Sequence, residues 1–266
     1  MDYRYTLREM TKSASRALSA LYAKFISCGG MTYDVYNKLY KSLVEPVLYY
    51  GAGLWGHTNW REMQTVQNKV CRLFLGCASN APNVVSQGDM GYYSSKSIQS
   101  IETFRLFLRL RITCDTRLTY KIHMWSMNIS RSWDKKCIEK VNNLDIMDII
   151  HSPFSNRHKL QNIKANLCNI NHAEWMNNLF DDRNEPNGNK LRTYRKFKSF
   201  LNVSSYVKDV LNRQHRRILS NFRSGCLPLA VETGRYTRPK IPLNERKRIF
   251  CNTNSVEDEI NFFIRL

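Results

Sequence analysis

The chain has 266 residues, 42% hydrophobic and 12% aromatic, enough apolar material for one large folded domain or two small ones. Its 41 Lys and Arg oppose 22 Asp and Glu, a net charge of +19, which favours a polyanionic partner: nucleic acid first, an acidic membrane surface second. No run reaches the ~18 consecutive apolar residues of a membrane-spanning helix, and MDYRYTLREM has neither the apolar core nor the cleavage pattern of a secretory signal.

In chain order, helical periodicity dominates. TYDVYNKLYKSLVEPVLYY follows Gly29-Gly30, with Thr32 placed to cap and Val35, Leu39, Leu43 and Val47 recurring every four residues as the expected inner face. Pro46 is expected to kink or interrupt its end. GAGLWGHTN reads as a glycine-rich connection. In NWREMQTVQNKVCRLFLG, Asn59 and Glu62 have capping-box spacing, Met63, Val66, Val70 and Leu73 form a stripe, and Gly76 stands where a helix stops. Residues 77–96 read as loop. SIQSIETFRLFLRLRITC then puts Ile101, Phe104, Leu108 and Ile112 on one face, with Arg105 and Arg109 on another. One more helix is expected over 134–150, stopped near Pro153, and DDRNEPNGN (181–189) reads as a linker.

Beyond that linker the charge density jumps. Residues 190–223 carry ten bases against Asp209 alone, interleaved with Tyr194, Phe197, Phe200, Tyr206 and Phe222. Val207, Leu211, Ile218 and Phe222 are the expected inner stripe, which leaves the arginines outside with no acid to pair with. The class is mainly α, with no alternation for a long strand, no internal repeat and no low-complexity tract.

The cysteines are Cys28, Cys71, Cys77, Cys114, Cys137, Cys168, Cys226 and Cys251, with no CxxC pair. They read as reduced thiols, several of them buried, in an intracellular protein of the nucleus or cytoplasm.

Three blocks carry a resemblance. They are KLYKSLVEPVLYYGAGLWG with VQNKVCRLFLG and GDMGY; KLRTYRKFK; and FRSGCLPLAVETGRY with a short basic helix and VEDEINFF. In this order and spacing they resemble the region downstream of the polymerase core in non-LTR (LINE-type) retrotransposon reverse transcriptases, from about residue 4 to the end and most weakly over 130–175. The resemblance implies a multi-helix, thumb-like bundle followed by a basic helical C-terminal region. It divides the chain into a thumb-like region (1–130), a helical connector (131–189) and a basic C-terminal region (190–266). Upstream of such a region lie an endonuclease and the polymerase palm, absent here, so the chain is expected to be a fragment or a separate reading frame.

Polymerase chemistry needs aspartates that hold two divalent ions. The paired aspartates Asp181-Asp182 lack the spaced aromatic and the apolar flanks of the family signature and read as linker, so the chain is not expected to be an enzyme. His57, His123, His151, His158, His172 and His215 are scattered, without GxSxG or HExxH, and no GxxxxGK[ST] loop exists. Cys168 and His172 alone make no zinc site, and neither a cofactor nor a small-molecule substrate is implied.

The candidate phosphate-contacting residues are Arg192, Arg195, Lys196, Arg213, Arg216, Arg217, Arg223, Arg235, Tyr236 and Lys240. Glu232 and Arg235 also have the spacing of a local ion pair, Gly234 of a turn, and ERKR (245–248) is too short to claim nuclear import. The partner is expected to be RNA or single-stranded DNA. The alternatives are a helical module whose exposed apolar residues around Tyr49, Leu54 and Trp55 dock on a missing palm or another protein, or a decayed copy without function.

The tail, CNTNSVEDEINFFIRL, resembles a zinc-type pattern in which Cys251 keeps a ligand position while Asn254, Asn261 and Leu266 occupy the other three. Such a set cannot close a tetrahedral zinc site, so no metal is expected. Val256, Ile260, Phe263 and Ile264 instead lay out a short amphipathic helix with Glu257, Asp258 and Glu259 in its first turn.

Overall fold

The computed structural model describes residues 3–181, 190–247 and 256–257. It is mainly α, and among these residues no strand forms beyond the isolated bridges Met90–Val203 and Lys247–Val256. Helix α1 (Arg4–Ser27) buries Leu7, Ala14, Leu18, Leu21 and Phe25, the spacing of one helical face.

Thr32 caps α2 (Tyr33–Leu39) by accepting from the Val35 amide, as expected. The inner face, however, is not the expected one. Val35 is 48% and Leu43 52% exposed, whereas Tyr33, Tyr36, Tyr40, Val44 and Leu48 are buried. Both rows repeat about every four residues, so periodicity does not choose between them. The tyrosines prevail because a ring buries more surface than Val or Leu while its hydroxyl finds a partner. Tyr33 donates to the Met90 carbonyl at 2.9 Å and Tyr36 to the Val70 carbonyl at 3.2 Å. A π-turn at Tyr40–Val44 keeps the four-residue spacing before α3 (Glu45–Leu48). Pro46 has no N–H to donate and crowds the carbonyl four residues back, so the helix widens where it enters.

The glycine-rich stretch is a short helix, α4 (Ala52–Trp55), rather than a bare connection. The Gly53 carbonyl accepts from the Trp133 indole at 3.1 Å and the Gly56 carbonyl from Lys140 Nζ at 2.7 Å. Helix α5 (Arg61–Leu75) begins late enough that Trp60, not Asn59, precedes it. Met63, Val66 and Val70 are buried as expected, Leu73 is half-buried, and Gly76 ends the helix at φ +68°. The segment read as loop, 77–96, contains α6 (Asn83–Met90) and the start of α7 (Ser95–Arg111).

Helix α7 buries Phe104 and Leu108, half-buries Ile101 and leaves Arg105 and Arg109 exposed, while Ile112 lies beyond its end in solvent. Helix α8 (Leu118–Met127) follows. The single helix expected over 134–150 is two, α9 (Trp133–Asn143) and α10 (Met147–His151), divided where Asp145 takes φ +50°. The rest is α11 (Asn156–Leu179), α12 (Tyr194–Phe197), α13 (Ser205–Asp209), α14 (Arg213–Arg223) and α15 (Ala230–Thr233).

The chain forms two compact units, each built from separate stretches. One comprises Met1–Leu18, Lys41–Gln67 and Tyr93–Asn171; the other Ser19–Tyr40, Asn68–Tyr92 and His172–Leu266. The stretches of the two units interleave along the sequence. The first unit is centred on Phe104, Phe107 and Leu108 of α7, Cys137 and Val141 of α9, and Ile146, Ile150, Ile163 and Leu167. The second holds the rings of Phe25, Tyr36 and Phe74, with centroids 4.8–5.9 Å apart, and a cluster of Val85, Trp175, Leu179, Leu191 and Tyr194. No described helix is long and apolar enough to cross a membrane.

These cores set an alkaline limit. Burial raises the Cys71 and Cys137 thiols well above their ordinary value, Cys77 to about 11 and Tyr33 to about 12, with Tyr36 and Tyr49 higher still. Unfolded, the same groups release protons at their ordinary 9.0 and 10.0. The folded state then binds more protons than the unfolded one, so stability falls as pH rises. Lys140 and Lys198, lowered to about 8 by burial, act in the opposite direction between about 8 and 10.5 but are fewer. The urea midpoint should fall steadily from about pH 9 to 11. A flat or rising midpoint would contradict the burial of these thiols and phenols.

Candidate nucleic-acid interface

The C-terminal candidates are organised by a residue outside their own segment. Helix α6 carries the sequence GDM, followed by Gly91, and Asp89 within it is fully buried. Two glycines seat it there. A Cβ on Gly88 would lie 2.4 Å from the Tyr194 hydroxyl and 2.7 Å from the Trp175 ring, so only glycine admits both. Gly91 takes φ +65°, a conformation natural to glycine, and lets Val203 close against the helix end.

The Asp89 carboxylate accepts a two-pronged bond from Arg223, Nε to Oδ2 at 2.9 Å and Nη2 to Oδ1 at 2.7 Å. It also accepts from Ser204 Oγ at 2.7 Å, the Tyr206 hydroxyl at 2.7 Å and the Tyr194 hydroxyl at 3.2 Å. The guanidinium of Arg223 lies 4.4 Å from the Phe197 ring centroid, 5.1 Å from Tyr206 and 5.2 Å from Tyr194. Burial lowers the Arg223 pKa, but the hydrogen bond and charge of Asp89, together with Tyr206 and Tyr194, outweigh this and raise it overall. Burial, then the adjacent carboxylate, raises both phenols. A charge pair taken from water persists only when its remaining bonding sites are filled, which is the case here.

Helix α14 reverses the expected polarity. Asn212 caps it, its side chain accepting from the Gln214 and His215 amides at 2.8 and 3.2 Å. Its inner face is Arg216 and Ser220, while Ile218 and the preceding Leu211 are exposed. Of the expected stripe only Val207 is fully buried, with Phe222 half-buried. Arg216 stacks 4.0 Å from the Phe74 ring centroid and donates to the carbonyls of Phe74 at 3.1 Å and Val210 at 3.0 Å. Burial pulls its pKa below the usual guanidinium value. An arginine is tolerated inside because its plane covers an aromatic face while its edge satisfies backbone oxygens that a leucine would strand.

The expectation that these bases lie outside without internal partners is therefore corrected residue by residue. Arg223 is paired with Asp89, and Arg216 is buried. Arg192 lies 3.0 Å from Glu232, and Arg235 lies 3.4 Å from the same carboxylate, the local pair its spacing suggested. Arg195 donates to the Leu179 carbonyl at 2.7 Å and covers Phe180; Arg213 donates to the Tyr22 hydroxyl at 2.9 Å. Lys196, Arg217, Tyr236 and Lys240 remain exposed. Exposed Lys208, Arg238 and Lys247 join them, although their sequence context does not single them out. Asp89 also escapes a reading of the sequence: an acid between two glycines in an apparent loop gives no sign of burial.

Gly234 has ordinary helical φ, and its smallness instead admits Arg246, whose Cγ would be 2.8 Å from a Cβ. Arg246, from the basic run 245–248, is buried and donates to the Val231 and Ile241 carbonyls, each at 2.9 Å. His172 Nδ1 accepts from the Leu201 amide, and among the described residues no group of three metal-ligating side chains occurs. Asp182, Arg248 and the tail positions Cys251, Asn254, Asn261 and Leu266 lie outside the described residues, as do Asp258, Glu259, Ile260, Phe263 and Ile264.

Compared with protein-family models, curated proteins and solved structures, the chain has no match.

Two neighbouring arginines test the reversed helix. Arg216→Gln should lower unfolding free energy by about 2–4 kcal/mol, since the charged donors and the desolvated stacking on Phe74 go together. Arg217→Gln should stay within about 0.5 kcal/mol, as exposed substitutions do. Equal shifts in urea titrations of the two variants would contradict the assignment.

Proposed function

We propose that the chain is a non-catalytic nucleic-acid-binding segment of the kind that follows the polymerase core in LINE-type reverse transcriptases, and that it grips RNA or single-stranded DNA through its C-terminal surface. The observation that carries this reading is the partition of charge. Asp89, Glu232 and Glu257 are buried, and so are Lys190, Lys198, Arg216 and Arg246, so the charges taken inward nearly balance and the surface is set by what stays outside. Lys196, Lys208, Arg217, Arg238, Lys240 and Lys247 stay exposed, against exposed Asp209 and Glu245 in the same stretch. Phosphates are attracted to such an excess without any base-specific interaction. Exposed Phe200 and Tyr236 add ring faces suited to unpaired bases.

The ordered blocks behind the resemblance also support reading them as one unit. Asp89 of GDMGY accepts hydrogen bonds from Tyr194 of KLRTYRKFK and from Arg223 of FRSGCLPLAVETGRY. Around the residues behind the docking-module reading, Tyr49 and Trp55 are buried, whereas Tyr50 and Leu54 are exposed.

The test is a fluorescence-anisotropy titration with single-stranded RNA and DNA across a salt series. Changing Lys196, Arg217, Arg238 and Lys240 to Gln should weaken binding and flatten the slope of log K against log salt by about 0.7 for each phosphate no longer neutralised. The unfolding midpoint should not move. Salt-independent binding in the unaltered chain, or binding untouched by the substitutions, would reject the proposal.

A further inference from the structure

The first unit holds a polar pair inside an otherwise apolar pocket. Helix α8 turns Tyr120, His123, Met124 and Met127 to one side, the i, i+3, i+4 and i+7 positions of a single face. Opposite stand Phe107 and Arg111 from the last two turns of α7, with Asp134 and Ile138 from the first two turns of α9. Together they line a pocket of about 230 Å³. The side chains of His123 and Asp134 are only 4% and 3% exposed, with Nδ1 2.7 Å from Oδ1. Ser126 Oγ donates to the other carboxylate oxygen. An ionised carboxylate only accepts, so the shared proton belongs to Nδ1, and the neutral ring presents Nε2 as an acceptor. Among the described residues none donates to Nε2. A polar atom in so buried a ring calls for a partner.

We propose that this pocket binds a small aromatic acid with a hydroxyl on its ring. The ring packs among Phe107, Met124, Met127 and Ile138, the hydroxyl donates to His123 Nε2, and the carboxylate meets Arg111 at the mouth. The size of the pocket lies below the ~300–1,000 Å³ of sites for drug-sized ligands, so it takes one ring. Thioethers make favourable contacts with aromatic rings and adapt to their outline. Met124, Met127 and Ile138 are also exposed, so a ring covering them removes apolar surface from water. Arg111 is exposed, with its guanidinium 5.3 Å from the Phe107 ring centroid, and its planar fork matches a carboxylate. Asp134 sets the orientation of the ligand. Its negative charge disfavours an acid deep in the pocket, so the inner group is an uncharged donor and the acid stays outside.

The probes are benzoate, meta-hydroxybenzoate and para-hydroxybenzoate, titrated by calorimetry into the full chain. At least one hydroxybenzoate should bind saturably, at one molecule per chain and at least about tenfold more tightly than benzoate, which leaves the acceptor unmet. Long-range proton–nitrogen NMR spectra should show the His123 Nε2 signal moving in the same titration. Ile138→Trp fills the mouth from an exposed position and should abolish binding without moving the urea midpoint. Arg111→Gln should weaken binding of the acid severalfold. Absence of saturable binding by both hydroxybenzoates, equal affinity for benzoate, a stationary His123 signal, or binding unaffected by either substitution overturns the proposal.

Discussion

The bond between Asp89 and Arg223 is the constraint on which the second unit depends. The carboxylate has no access to water and collects donors from residues 105 to 134 positions away in sequence. Tyr194, Ser204, Tyr206 and Arg223 stand on or beside short elements, and helices of four or five residues such as α12 and α13 do not persist on their own propensity. A buried charge tolerates no loss of a partner, so the same requirement that fixes Arg223 fixes the segments around it. The glycines on either side of Asp89 belong to this arrangement, since any side chain at Gly88 would displace Tyr194.

Much of the helical content is legible in the sequence because period and caps are local properties. Thr32 caps α2, Gly76 ends α5, and Met63, Val66 and Val70 are buried as their spacing implies. Which face turns inward is less legible. Tyrosine reads as half-polar in sequence, yet Tyr33 and Tyr36 are inside because distant carbonyls receive their hydroxyls. Arg216 defeats a polarity rule for a related reason: Phe74, far away in the chain, supplies both the ring and the carbonyl that make its burial possible. Long-range partners of this kind leave no periodic trace. Asp89 is illegible for the same reason, and with it the internal pairing of bases that seem to lack acids.

The consequence for the candidate surface is a redistribution rather than a simple loss. Arg192, Arg223 and Arg235 of the motif-like blocks and Arg216 of α14 hold the fold, while Lys196, Arg217 and Lys240, together with Lys208, Arg238 and Lys247, face solvent. Exposed Lys196, Lys208, Arg217, Arg238, Lys240 and Lys247 outnumber exposed Asp209 and Glu245, which favours long-range attraction for polyanions while leaving sequence preference to other interactions.

The most direct measurement of the central claim is a double-mutant cycle on Asp89→Asn and Arg223→Met, followed by urea unfolding of the full chain. If the pair organises the second unit, each single change destabilises strongly and the two are coupled by about 2–3 kcal/mol, because the second removes the charge stranded by the first. Additive effects, with a coupling below about 0.5 kcal/mol, would mean that the two residues act independently and that the carboxylate does not hold the fold together.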